Sequence, residues 1–116
     1  MDITRLHVGQ RISEAAIHNG TVYLAGQVAE DGNADIVGQT REVLGHIDRL
    51  LAEAGSDKSR ILMCQVFLKD VADFPGMNSA WDAWVAEGNA PPRATVIAPL
   101  ARPQWRVEMV VTAAQK

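Results

Sequence analysis

The chain has 116 residues, of which 47% are apolar and 22% charged, a balance that suits one compact domain over residues 1–116 and excludes the low-hydrophobicity signature of disorder. Eleven Lys and Arg stand against 14 Asp and Glu, a formal charge of −3 without blocks of one sign, so no nucleic-acid partner is expected. Cys64 is the single cysteine, which excludes an intrachain disulfide framework; with no signal-like start and no run near the ~20 apolar residues of a membrane helix, the expectation is a cytoplasmic protein that does not contact membranes.

In chain order, "MDITRLHV", "SEAAIHNG" and "TVYLAGQV" read as three strands, the last two joined by Asn19-Gly20, a pair that favours a two-residue hairpin turn. After the turn-rich "AEDGNAD", apolar positions from about Asp35 change to helical spacing: Val37, Thr40, Val43, Leu44, Ile47, Leu50, Leu51 and Ala54. Arg41, Glu42, Asp48, Arg49 and Glu53 fall on the opposite side, and Gly55 suits the helix stop. "SRILMCQVFLKD" is apolar on both parities, with Ile61, Met63 and Phe67 on one and Leu62, Cys64, Val66 and Leu68 on the other, as in a central strand. A second helix is predicted from Asp73 as N-cap and Pro75 in the first turn, with Met77, Trp81, Trp84 and Val85 as its apolar stripe. "PPRATVIA" and "QWRVEMVVTAA" close the chain as two strands. The predicted architecture is α+β, one sheet with two helices on one face; the other, partly apolar face then calls for a second copy of the chain.

Few residues offer chemistry. His7, His18 and His46 lack metal-ligand spacing, so no metal is expected; the glycines match no phosphate loop; and Cys64 reads as a small buried hydrophobe. Arg93 differs, because Pro91 and Pro92 stiffen its approach to the strand and present its side chain in one direction. By alternation Arg93 shares a strand face with Thr95 and Ile97, while Glu108 interrupts the apolar "WRVEMVV" and needs a partner if buried. Two explanations stand side by side: a salt bridge of Glu108 with Arg93 or Arg106, and a pocket that Glu108 shares with an arginine.

"SEAAIHNGTVYLAGQVAED", "AEAGSDKSRILMCQVFLKDVADFPGMNSAWDAWV" and "PPRATVIAPL…RVEMVVTAA" together resemble the RidA/YjgF family of enamine/imine deaminases, nearest its YoaB-like branch, over essentially the whole chain. The resemblance implies a chorismate-mutase-like α+β fold with a mixed sheet of about six strands, assembled as a homotrimer with clefts between subunits. It implies hydrolysis of reactive 2-imino acids to 2-oxo acids and ammonia without metal or cofactor. Arg93 would bind the substrate carboxylate and Glu108 would place or activate water. Ile12, Ala25 and Thr95 occupy positions where the family carries Tyr, Ser and Cys, and Val110 replaces a second carboxylate, which points to a larger or more apolar imino acid. Gly26 is expected either at a close backbone approach or as a bulge or turn glycine. The alternative is a non-catalytic binder of 2-oxo acids or other carboxylates, anchored on Arg93.

Overall fold

Asn19 and Gly20 take φ values of 54° and 78°, the left-handed conformations a tight hairpin turn requires, and so pair β2 (Ala15–His18) with β3 (Thr21–Leu24). The structure, a computed structural model, describes residues 2–116; Met1, which begins the run read as the first strand, lies outside them. The remaining strands are β1 (Thr4–Leu6), β4 (Gln27–Val28), β5 (Ile61–Leu68), β6 (Arg93–Ile97) and β7 (Val107–Ala114). They form one sheet in the order β1-β2-β3-β7-β5-β6, with the short β4 also paired to β7. The predicted third strand thus ends at Leu24, and Gln27–Val28 adds a seventh strand to the six or so expected. Among the described residues only β5 and β6 run parallel, so the sheet is mixed.

The first helix, α1 (Ile36–Glu53), begins where Asp35 accepts the Gly38 N–H at 2.8 Å and ends before Gly55 in the left-handed region (φ 79°). Its predicted stripe is the buried one: Val43, Leu44, Ile47, Leu50 and Leu51 pack on the sheet, each contributing about 1.5–3 kcal/mol. The second, α2 (Phe74–Trp84), carries Pro75 in its first turn as expected. Asp73 stands at the N-cap but its side chain does not cap; its carboxylate instead accepts Arg106 Nη1–H at 3.2 Å on both oxygens. That bond also removes Arg106 as a partner for Glu108.

Both helices lie on one face, over a core that includes Cys64, Val66, Leu68, Val107, Met109 and Val111. In β5 the predicted face assignment fails at its start, because a bulge between Ile61 and Met63 puts Ile61 in the core and leaves Leu62 exposed. The molecule is only 20 Å through its thinnest dimension, about one sheet and one helix layer, so the far face of the sheet has no cover. Tyr23, Met63 and Val96 lie exposed on that face.

Candidate functional site

Pairing register decides which side chains can meet. Arg93 is opposite Cys64 and Thr95 opposite Val66, both of which are buried under the helices, so Arg93 and Thr95 belong to the helix-covered face. Glu108 is opposite Phe67 and Val28, between the buried Val107 and Met109, and therefore belongs to the uncovered face. With two strand spacings and three residues of rise between them, their Cα atoms lie roughly 14 Å apart. No Arg93–Glu108 salt bridge forms within the chain.

At its strand edge the guanidinium of Arg93 is half-buried against α2, with Cζ 5.0 Å from the centroid of the Trp81 ring and Nη1 3.9 Å from Met77 Sδ. Among the described residues it has no carboxylate within salt-bridge distance. Five N–H donors next to an apolar helix and without an anion form a site that a carboxylate ligand can complete.

Cys64, beside Arg93 on β5, is fully buried, and burial pushes its thiol up to about 12, outweighing the opposing pull of the Arg93 charge. The thiol is therefore neutral and hydrophobic in role. Native protein at pH 8 is expected to leave Cys64 unmodified by iodoacetamide while urea-unfolded protein takes one equivalent; mass spectrometry showing rapid labelling of the native state would contradict this. The same shift costs stability as pH rises above the thiol's ordinary value toward 12, because the unfolded chain can ionise Cys64 and the folded chain cannot.

The second group of predicted residues collects elsewhere. Ile12, Ala25 and Gly26 line one hollow of about 190 Å³, together with Glu14, His46 and Arg49. Its basic groups each face carboxylates. Arg49 Nη1 is 4.0 Å from Glu14 and 3.8 Å from Glu53, and His46 Nε2 is 3.1 Å from Glu42. The Glu42 carboxyl is held below its usual range, chiefly by the Glu30 backbone N–H, with Asp31 N–H and His46 adding to the effect. This hollow supplies walls and no free cation.

Glu108 joins this group through Gly26. A Cβ at Gly26 would collide with Glu108 Oε2, so the glycine is there because the carboxylate lies against the backbone of the β3–β4 turn. A larger hollow of about 350 Å³, lined by Lys69, Asp73, Gln104 and Arg106, had no signal in the sequence; its cations are committed, Arg106 to Asp73 and Lys69 Nζ to the Pro103 carbonyl at 2.5 Å. The six predicted site residues thus fall into two groups, Arg93 with Thr95 and Ile12 with Ala25, Gly26 and Glu108, on different parts of the chain.

This combination of a seven-stranded open sheet, two helices on one face and a bare opposite face is the fold of a solved YjgF-family structure from Neisseria meningitidis, with a TM-score of 0.97 at 48% identity, covering 100% of this chain and 97% of that one. A structure from Pseudomonas aeruginosa superposes equally well, with a TM-score of 0.97 at 47% identity over 99% of this chain and 100% of that one. The chain belongs to the RidA/YjgF family: the family model described as "Endoribonuclease L-PSP" matches residues 3–115. It is 55% identical to a RutC family protein of Haemophilus ducreyi, over 97% of this chain and 96% of that protein, and 46% identical to the RutC family protein YoaB of Escherichia coli, over 98% and 99%.

Proposed function

We propose that the chain is an enamine/imine deaminase acting on 2-imino acids. It would work as a homotrimer whose clefts join Arg93 and Thr95 of one subunit to Ile12, Ala25, Gly26 and Glu108 of the next. The observation that supports this most is Arg93, a half-buried guanidinium without an anion, at a sheet edge that a second copy could approach. The uncovered sheet face, with Tyr23, Met63 and Val96 exposed, is the surface available for assembly.

In such a cleft Arg93 holds the substrate carboxylate by two parallel charge-assisted hydrogen bonds, each contributing roughly 1.5–3 kcal/mol. An enamine first tautomerises to the imine. Water then adds to C2, Glu108 accepting its proton and returning it to nitrogen. Glu108 then relays the adduct's hydroxyl proton to nitrogen, and the C2–N bond breaks to release ammonia as the C2 oxygen becomes a carbonyl, so one imino acid and one water give one 2-oxo acid and one ammonia. With Ile12, Ala25 and Thr95 as walls, the cleft favours a larger or more apolar side chain on C2.

The test generates 2-imino acids with an amino-acid oxidase and follows their decay against a semicarbazide trap. Acceleration by the wild type supports the reading, and no acceleration overturns it. Binding of 2-oxo acids without turnover would instead identify the chain as a carboxylate binder. A formal charge of −3 gives no support to carrying the "endoribonuclease" of the family description over to this chain.

Separation of the two groups has its own consequence. Arg93→Ala and Glu108→Gln are each expected to be nearly inactive, yet refolding them together should restore about a quarter of the clefts, because mixed trimers contain one cleft with both residues intact. No recovery in the mixture, with hybrid trimers verified by native mass spectrometry, would show that the site lies within one chain.

A further inference from the structure

A carboxylate clamp demands that Arg93 be held in place before the ligand arrives. A long side chain on an edge strand without an ion-pair partner has several rotamers open to it, and freezing them on binding weakens affinity. Helix α2 supplies the restraint. The Arg93 guanidinium carbon lies 5.0 Å from the Trp81 ring centroid, within the range of a cation–π interaction, and Met77 closes one side at 3.9 Å.

Trp81 is itself held. It is buried to 6% exposure and packs on Trp84 with centroids 5.5 Å apart and ring planes inclined at 53°. Trp84 Nε1–H donates to Asp48 Oδ2 of α1 at 2.9 Å, and Lys58 Nζ lies 5.3 Å from the Trp84 ring while donating to the Trp84 carbonyl at 2.6 Å. A run of contacts therefore extends from α1 through both indoles to the guanidinium. An Arg attracted to a ring face keeps its in-plane N–H donors for a planar, two-oxygen acceptor.

We infer that Trp81 is a positioning residue for carboxylate recognition: its indole face fixes the Arg93 guanidinium, and the ligand it prepares for is a planar carboxylate such as that of a 2-oxo or 2-imino acid. This rests on the reading that Arg93 binds the substrate carboxylate. Trp81 acts through Arg93 and touches no reacting atom.

Calorimetric titration of the assembled protein with 4-methyl-2-oxopentanoate tests it. Trp81→Leu is expected to raise Kd about tenfold, whereas Trp81→Phe, which also loses bulk but keeps an aromatic face, should return to within about threefold of wild type. Arg93→Ala should bind nothing measurable. Wild-type affinity in Trp81→Leu with none in Arg93→Ala overturns the inference and leaves the reading of Arg93 standing. Wild-type affinity in Arg93→Ala, or no binding by the wild type, overturns that reading and the inference with it. Should Trp81→Leu fail to fold, site-specific mono-, di- and trifluorotryptophan at position 81 drains charge from the ring face at nearly constant shape. Kd rising with each fluorine supports the inference, and an unchanged Kd overturns it.

Discussion

Replacing Arg93 by alanine is expected to lower kcat/KM for 2-imino acids about a hundredfold, a loss of ~3 kcal/mol of transition-state binding. The magnitude follows from removing both hydrogen bonds of a bidentate clamp while the rest of the cleft stays in place. Stability should change little. Arg93 makes no ion pair among the described residues, so the fold loses chiefly its contact with Trp81, worth about 0.5–1 kcal/mol at a partly exposed site. Arg93→Lys keeps the charge without the fork and should recover only part of the activity. The check pairs steady-state kinetics in the semicarbazide assay with a thermal melt. Wild-type kcat/KM in a folded Arg93→Ala protein would remove the arginine from the mechanism, and a collapsed melt would mark it as a structural residue.

Gln39→Leu is expected to destabilise the fold by about 3 kcal/mol without touching the cleft, because its side chain makes three bonds that leucine cannot replace. Gln39 is fully buried on α1. Its Nε2 donates to the Ala34 carbonyl at 3.2 Å and to the Gln104 carbonyl at 3.0 Å, while its Oε1 accepts the Arg106 N–H at 2.9 Å. One amide thus ties the start of α1 to the loop that leads into β7. Leucine has nearly the same volume, so the cost comes from backbone groups left without partners rather than from a cavity. Urea denaturation at fixed protein concentration should show a lower midpoint with the slope unchanged. A shift below about 1 kcal/mol would mean that water replaces the amide at those groups.

Gln39 also shows where sequence reasoning stops. On a helix its position falls beside the apolar stripe, and nothing in "GQTREV" separates a buried glutamine from a solvated one, since its three partners come from residues 34, 104 and 106. The helices themselves were legible because their signals are local: Asp35 and Gly55 bracket α1, Pro75 opens α2, and 3.6-residue spacing marks each buried stripe. Asp73 stands at the predicted N-cap position, but its carboxylate serves Arg106, 33 residues away, which no local signal reveals.

The two residues singled out for chemistry divide in the same way. For Glu108 the face was readable, since Val107, Met109 and Val111 alternate with it and define the core side of β7. For Arg93 it was not, because in "RATVI" the wholly apolar parity, Ala94 and Val96, is the exposed one, while Arg93 and Thr95 face the helices. The helices, six of the seven strands and the family were legible in the chain itself, from signals within a few residues or a whole-chain resemblance. That Arg93 and Glu108 lie on opposite faces of the sheet emerged from the fold. Alternation sets faces within a strand, whereas the relation between strands depends on register, here Arg93 on Cys64 and Glu108 on Phe67, which is set by long-range pairing and packing.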